Sequence, residues 1–188
     1  MLFVEYKAFT KEDFTITALP TAEYDNCTFT GCNFNASSPN GIVFTQCRFD
    51  DCNLSNIKTV ATAFKEAAFI NCKLLGVQFS TCDPFLFAVG FEGCYMQLAS
   101  FYKMKLKGTR FINCPLGEAD FTEADLTGAV FTDCDLRNAI FENTILEKAD
   151  LCTAINYTID PEINRIKKAK FSREGLPGLL YKYNIDID

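Results

Sequence analysis

Residues 119–136 read ADFTEADLTGAVFTDCDL, and the same order of residue types returns at every fifth position. Each unit begins with a small residue (Ala119, Ala124, Ala129, Cys134) and carries a large apolar residue two positions later. An α-helix has a period of about 3.6 residues and a strand a period of about two, so neither accounts for this spacing. The stretch therefore indicates a repeat architecture in which every unit is one short structural element.

The five-residue period extends through two segments of the chain, the second shifted by two residues relative to the first. The large apolar positions of the first are Phe29, Phe34, Phe44, Phe49, Leu54, Phe64, Phe69, Leu74 and Phe79, and those of the second are Phe91, Met96, Phe101, Leu106, Phe111, Leu116, Phe121, Leu126, Phe131, Leu136, Phe141, Leu146 and Leu151. Two positions before most of them lies Ala or Cys, and the remaining positions are mostly polar or charged. A pattern held over more than a hundred residues is specific for a fold.

A coil that turns a corner every five residues explains the period, because four such sides close a square turn of twenty residues. Two cysteine series have the spacing of twenty, namely Cys32, Cys52, Cys72 and Cys94, Cys114, Cys134. Twenty-two residues separate the two series, so a local insertion within residues 82–91, where Pro84 replaces a large apolar residue, should form a small bulge or kink. We predict an all-β fold, a parallel β-helix of roughly eight turns and about 38 Å in length at the usual strand spacing.

Ten cysteines raise the alternatives of a disulfide framework, a metal site and free thiols. Nine of them lie at the small inward position that Ala, Thr and Val also occupy, and Cys152 alone lies elsewhere. No Cys-x-x-Cys occurs, His is absent, and parallel neighbours about 4.8 Å apart rarely have disulfide geometry. We predict buried free thiols that act as small apolar residues, and no metal site.

The 188 residues fit a single domain whose coil needs protection at both ends. Residues 1–10 do not follow the period, whereas Phe14 does, so we predict an N-terminal cap over residues 1–13, either paired as a strand or covering the first turn. The coil should run over residues 14–171, since Phe171 keeps the second period.

Residues 172–188 are predicted to form a C-terminal α-helix and tail. Ser172 is a suitable N-cap and Pro177 suits a first turn, which places a short amphipathic helix at about residues 174–183. Its apolar face consists of Leu176, Leu179, Leu180 and Tyr183. Such a helix covers only part of the open coil, and the remaining apolar surface, with Ile185 and Ile187, predicts a homodimer joined through this helix.

The net charge of −6 is unevenly distributed. Residues 101–115 carry four basic and no acidic side chains, whereas residues 116–150 carry nine acidic and two basic ones. Two interpretations remain open: the charge solvates a chain with a very apolar core, or it attracts a basic protein partner. An acidic surface argues against direct binding of nucleic acid. The outward acidic residues of the opening stretch, which form the candidate partner-binding surface, are Asp120, Glu123, Asp125, Asp133 and Asp135.

Sequence motifs for catalysis are missing from the chain. It has no His, the commonest general base, and no Gly-x-Gly-x-x-Gly, Walker-type or Gly-x-Ser-x-Gly motif. Paired carboxylates such as Glu123 and Asp125 lie at outward positions with no apolar pocket around them. We therefore expect no enzyme activity, no catalytic residue and no cofactor. Because no long apolar run and no signal peptide occur, we expect a cytoplasmic protein that does not bind membranes.

The unit A(D/N)LXX, with Leu or Phe at its centre and Ala or Cys two positions before it, resembles the pentapeptide-repeat family. The residues that carry the resemblance run from Phe29 to Leu151, about two-thirds of the chain. The resemblance implies a right-handed quadrilateral β-helix.

Members of that family include the Qnr-like quinolone-resistance proteins, dimeric acidic rods that bind DNA gyrase and topoisomerase IV partly by imitating duplex DNA. The present chain is similar to them in size, acidity, Phe content, the mid-chain shift and the apolar C-terminal helix. It departs from them in its tail sequence and in the shortness of the insertion near Pro84, which cannot supply a long projecting loop. The resemblance implies a non-enzymatic protein-interaction rod, either a DNA-mimicking binder of gyrase or topoisomerase IV that protects against quinolones, or a scaffold for another protein partner.

Overall fold

A computed structural model describes residues 2–186, and over this range the chain winds into a parallel β-solenoid of about eight turns. Parallel pairing joins residues twenty apart, as it joins Leu2 to Ala22 and Asp25 to Thr45. Each turn has four sides of five residues, and we number the sides in chain order. The predicted all-β fold, a right-handed quadrilateral β-helix, is confirmed.

Strands line two of the four sides. The first side holds a four-stranded sheet of β1 (Leu2–Glu5), β3 (Ala22–Asp25), β5 (Val43–Thr45) and β7 (Ala63–Lys65). The second side holds a nine-stranded sheet of β2 (Ala8–Thr10), β4 (Thr28–Thr30), β6 (Arg48–Asp50), β8 (Ala67–Ile70), β9 (Val89–Glu92), β10 (Arg110–Ile112), β11 (Val130–Thr132), β12 (Asp150–Leu151) and β13 (Lys170–Phe171), in that spatial order.

Single-residue bridges complete the four ladders. They continue the first side through Lys105, Asp125, Ile145 and Arg165. They connect the third side through Asp13, Asn33, Asn53, Lys73 and Tyr95, and then through Pro115, Asp135 and Ile155. They connect the fourth side through Gln78, Ser100, Asp120 and Ile140, next to a 3₁₀ turn at Phe79–Thr81. Each side is therefore a flat ladder with its outward residues held in register.

Columns of stacked aromatic rings fill the interior. On the second side Phe91 stacks on Phe111 with ring centroids 5.3 Å apart, and on the fourth side Phe101 stacks on Phe121 at 5.2 Å. Rings of neighbouring sides meet edge to face, as Phe111 and Phe121 do at 6.0 Å. These two geometries are the favoured ones for aromatic pairs, so the predicted columns form a close-packed core.

The backbone turns its corners at the residue two positions after each large apolar residue. Asn113, Glu118 and Glu123 lie at such corners with φ of 51°, 58° and 56°, in the left-handed region. Gly128 occupies the next corner with φ of 67°. Because Gly and Asn adopt this conformation most easily, the corner requirement explains their recurrence at this position.

Nine cysteines are buried free thiols and Cys152 is exposed, as predicted. The buried thiols also form a regular hydrogen-bond pattern that the sequence did not reveal. Sγ of Cys134 donates to the carbonyl of Phe111 at 3.4 Å, and at the same repeat position the hydroxyl of Thr144 donates to the carbonyl of Phe121 at 2.9 Å. The small inward position therefore supplies a donor to the preceding turn as well as a small volume.

The coil begins earlier than predicted. β1 pairs with β3 and β2 pairs with β4 in the twenty-residue register that also joins Phe9 to Phe29, so residues 2–13 belong to the coil instead of forming a separate cap. Of the two alternatives predicted for the N-terminal segment, pairing as a strand is correct and a separate cover over the first turn is not. Val4 and Phe14 pack against the core and continue the column of large residues toward the start of the chain. Met1 lies outside the described residues.

The two-residue shift leaves the columns intact, as predicted. β8 pairs with β9 over a separation of twenty-two residues, and Phe69 still stacks on Phe91 with ring centroids 5.4 Å apart. Backbone hydrogen bonds from Asp83 and Ala88 to the preceding turn anchor both ends of the inserted segment. Residues 84–87 between these anchors form the predicted bulge.

The C-terminal α-helix is shorter than predicted. In place of residues 174–183 it spans only α1 (Pro177–Leu180), which continues as a 3₁₀ turn (Tyr181–Tyr183). Ser172 does not cap this helix, and its hydroxyl accepts a hydrogen bond from the amide of Gly175 at 3.0 Å. No helix within residues 2–186 is long and apolar enough to cross a membrane.

A contact with the coil accounts for the short helix. Gly175 and Gly178 pack so closely on Tyr157 that neither has room for a Cβ. This tertiary contact determines the path of the segment and outweighs its helical propensity. Residues 187–188, which include the predicted contact residue Ile187, lie outside the described range.

Candidate interaction surfaces

The five acidic residues predicted as one partner-binding surface are distributed over three sides and two corners of the rod. Asp120 lies on the fourth side, Glu123 at the corner after it, and Asp125 on the first side. Asp133 lies at the corner after β11, and Asp135 lies on the third side. A turn takes twenty residues, so a stretch of this length passes around most of the rod. These residues form a ring and not a single acidic face.

Basic side chains accompany three members of this ring. Nζ of Lys103 lies 3.4 Å from a carboxylate oxygen of Glu123, and Nζ of Lys107 lies 3.2 Å from one of Asp125. Asp135 pairs with Arg137 at 3.4 Å. The negative charge is thus partly neutralised by cations of the same or the preceding turn.

Hydrogen bonds hold the carboxylate of Asp125 in a defined position. Partial burial opposes ionisation, but hydrogen bonds from Thr127 and the neighbouring Lys107 lower the pKa of this carboxyl below its usual value. The carboxylate of Asp120 accepts a hydrogen bond from the amide of Thr122 at 2.9 Å. These acidic side chains therefore stabilise the local turns.

Groups suited to a metal do not converge in the structure. Across residues 2–186, no cluster of three or more His, Cys, Asp or Glu side chains could hold a metal ion. The nine buried thiols lie in the core columns, each at the small position of its repeat.

The predicted dimer interface is only partly exposed. Leu176, Leu180 and Tyr183 are accessible, whereas Leu179 packs against the core. Tyr181, which lies outside the predicted apolar face, is 74% exposed and extends this apolar surface.

Two ionic contacts anchor the C-terminal segment to the last part of the coil. Nζ of Lys182 lies 2.8 Å from a carboxylate oxygen of Asp160 and also contacts Glu162. The hydroxyl of Tyr183 donates to Glu162 at 2.8 Å. The apolar surface of the segment is therefore presented from a fixed position.

Two further surfaces were missed by the sequence analysis. On the third side Leu75, Tyr95 and Leu98 are 41%, 55% and 52% exposed. At the inserted bulge Phe85 and Leu86 are exposed as well. The break in the period located the bulge, but no signal in the sequence indicated that these large residues face outward.

The fold and these surfaces define a four-sided β-solenoid repeat protein, in which each side presents outward-facing residues and the interior is filled by side chains. Two family models match the chain: Pentapeptide repeat region over residues 85–154 and Pentapeptide repeats (8 copies) over residues 25–58. Together they cover more than half of the sequence. The chain belongs to the pentapeptide-repeat family.

Several solved structures resemble this chain. A trypsin-treated variant of QnrB1, described as a plasmid-mediated fluoroquinolone resistance protein, has 15% identity and a TM-score of 0.61, with 99% of this chain and 91% of that chain covered. HetL, a pentapeptide repeat protein involved in heterocyst differentiation regulation from the cyanobacterium Nostoc sp. strain PCC 7120, has 17% identity, a TM-score of 0.36, and coverage of 91% and 86%. At these identities the likeness to QnrB1 shows a common fold. No curated protein matches the sequence.

Proposed function

We propose that this chain is a non-enzymatic protein-interaction rod that binds a protein partner on its outward ladders. The observation that carries the proposal is the filled interior: Phe111, Phe121 and Phe131 are fully or almost fully buried in continuous columns. A core of this kind occupies the space that an enclosed substrate site would need, so recognition takes place on the outer surface.

The third side supplies a suitable flat surface. Leu75, Tyr95 and Leu98 lie there on adjoining turns, and Pro115 follows Tyr95 on the ladder. Because the backbone ladder already fixes the positions of these residues, binding through them orders no backbone. This arrangement favours a scaffold or binding module for a protein partner.

The C-terminal segment is the proposed dimer contact. Leu180 and Tyr181 present apolar surface from a segment that Lys182 anchors to the coil. A self-complementary patch at one end of a rod is sufficient for a two-fold dimer.

A DNA-mimicking binder of DNA gyrase or topoisomerase IV is the second candidate function. The observation that favours it is the local net charge of −7 over residues 116–150, together with the fold shared with QnrB1. The ion pairs of Glu123 and Asp125 reduce the charge available to imitate a phosphate backbone, which is why we rank this candidate second.

A gyrase supercoiling assay with a fluoroquinolone present separates the two candidates. Protection by the wild-type protein that is lost in an Asp120→Asn/Glu123→Gln variant and kept in an Asp135→Asn control would establish the topoisomerase role. No protection and no binding to gyrase would remove it.

Crosslinking in cell extract, followed by mass spectrometry of the linked peptides, tests the interaction rod itself. Crosslinks from one partner that map to one side and are abolished by Tyr95→Ser would support it. Turnover of a small molecule by the purified protein would contradict it.

Ten free thiols are typical of a reducing compartment, which supports a cytoplasmic location.

A further inference from the structure

The bulge of residues 84–87 exposes two large apolar side chains that the coil does not require. Phe85 is 67% exposed and Leu86 is 64% exposed. The anchoring hydrogen bonds of Asp83 and Ala88 involve only backbone atoms, so smaller or polar residues would serve the turn equally well. Adjacent exposed apolar residues of this size are typical of an interaction site.

A cleft of about 310 Å³ lies beside the bulge. Its lining consists of Pro84, Phe85, Phe87 and Met104, together with Lys103 and Lys105. Phe87 packs edge to face on the core residue Phe79, with ring centroids 6.2 Å apart, and Met104 is buried. The apolar part of the cleft is therefore continuous with the core and rigid enough to receive one large side chain.

Two lysines line this cleft, and a third contacts the exposed ring of Phe85. Nζ of Lys65 lies 5.9 Å from the centroid of the Phe85 ring, and Lys103 lines the cleft while pairing with Glu123. Lys105 is exposed and makes no ion pair with any residue of the range 2–186. On a chain with a net charge of −6, three lysines thus lie at or beside one apolar cleft.

We propose that this cleft binds an acidic segment of a partner protein. One large apolar side chain of the segment inserts beside Phe85 and Met104, and flanking carboxylates pair with Lys65, Lys103 and Lys105. The proposal rests on the proposed function in taking a protein as the partner, and it adds the chemistry that the partner must have. Charge complementarity selects the segment, and the apolar contact supplies most of the affinity.

An anionic membrane fits this site less well. The cleft is shaped to take a single inserted side chain, whereas an interfacial membrane contact is made by a broad apolar face. Asp83 directly precedes the bulge in the sequence, Glu66 follows Lys65, and Asp125 follows Lys105 on the ladder. An extended anionic lipid surface would meet these carboxylates together with the lysines, whereas a short segment can place its own carboxylates opposite the lysines alone.

Fluorescence anisotropy with a designed peptide tests the proposal. The probe is a fluorescein-labelled peptide with two aspartates on each side of one phenylalanine, titrated with the full-length protein. We expect saturable binding that weakens as ionic strength rises, because the lysines are exposed. Peptides with serine in place of phenylalanine, or lysine in place of aspartate, should bind at least about tenfold more weakly.

Two variants with matched controls locate the site. Lys105→Glu and Phe85→Ser should each weaken binding by at least about tenfold. Both positions are exposed, so thermal unfolding should match wild type. Lys11→Glu and Ile16→Ser, which change an exposed lysine and an 83% exposed apolar residue near the N-terminus, should leave affinity unchanged.

The proposal is overturned if aspartate and lysine peptides bind equally well, or if neither Lys105→Glu nor Phe85→Ser changes the affinity. Binding to phosphatidylserine vesicles without binding to the aspartate peptide would also overturn it, in favour of a membrane. A partner crosslinked equally by wild type and Phe85→Ser would reject this cleft while leaving the interaction rod intact. The two proposals therefore fail separately.

Discussion

The rings of Phe111 and Phe131 lie parallel, with an interplanar angle of 3° and centroids 4.9 Å apart. The same relationship joins Phe29 to Phe49, with centroids also 4.9 Å apart. Each ring is covered by those of neighbouring turns, and the backbone ladder fixes the spacing. A cavity left by a smaller side chain can therefore collapse only in part.

Truncation of this column should destabilise the whole rod. We expect Phe111→Ala to lower the free energy of unfolding by about 3–5 kcal/mol, and Phe111→Leu to cost clearly less, because Leu fills the alternate sides of the same coil. Urea denaturation followed by circular dichroism measures both. The outward substitution Ile140→Ala is the control, expected within about 0.5 kcal/mol of wild type. Equal costs for Phe111→Ala and Ile140→Ala would contradict the stacked core.

The thiol of Cys134 should be replaceable by another small donor. Cys134→Ser can keep the hydrogen bond to the carbonyl of Phe111, just as the hydroxyl of Thr144 donates to the carbonyl of Phe121 half a turn further on, so we expect a change within about 1 kcal/mol. Cys134→Val has no donor and a larger volume, and it should cost about 1–3 kcal/mol. Denaturant titration compares the two. If serine is as costly as valine, the hydrogen bond contributes nothing.

Stability should fall in alkali because buried thiols resist ionisation. Burial raises the pKa of Cys47 and of Cys82 from 9.0 to about 12, and that of Cys32 to about 11. Between pH 9 and these raised pKa values, the thiols of the unfolded chain lose their protons while those of the folded chain retain them. The stabilisation is therefore complete below pH 9 and is lost as pH rises toward 11 to 12.

Urea midpoints measured from pH 7.5 to 10.5 at constant ionic strength test this expectation. A variant with alanine at Cys32, Cys47 and Cys82 should lose less stability over the same range. An equally steep fall in that variant would assign the alkaline loss to other groups.

A methyl group at Gly178 should displace the C-terminal segment. The contact with Tyr157 leaves no room for a Cβ, so Gly178→Ala should increase amide hydrogen exchange over residues 175–183 and leave the coil protected. Gly90→Ala is the matched control, because a Cβ there meets nothing within 4 Å. Unchanged exchange in Gly178→Ala would mean that the segment is not held by this contact.

The proposed dimer should depend on the exposed part of the C-terminal surface. Leu180→Asp places a charge in that surface without touching the core, so light scattering should report a monomer where wild type gives a dimer. Ile155→Asp, on the exposed third side, should remain dimeric. A Leu180→Asp protein of unchanged mass would reject the C-terminal dimer.

The sequence predicts the coil well because each residue of a solenoid takes its environment from its place in a local repeat. Phe121 and Ala124 are buried as their positions in the repeat require. The period also located the insertion and the free thiols. It failed where no repeat applies: residues 174–183 were predicted as one helix, but the contact of Gly178 with Tyr157 joins two distant parts of the chain.

The stretch 119–136 by itself determined the five-residue side, the inward positions and the outward positions of its acidic residues, and the two cysteine series determined the twenty-residue turn. Only the tertiary structure decided which outward residues share a side. Asp120 and Asp135 are close in sequence but lie on different ladders, because the chain passes all four sides within twenty residues. Phe85 and Lys105, twenty residues apart, line the same cleft, because stacking of turns brings such residues together.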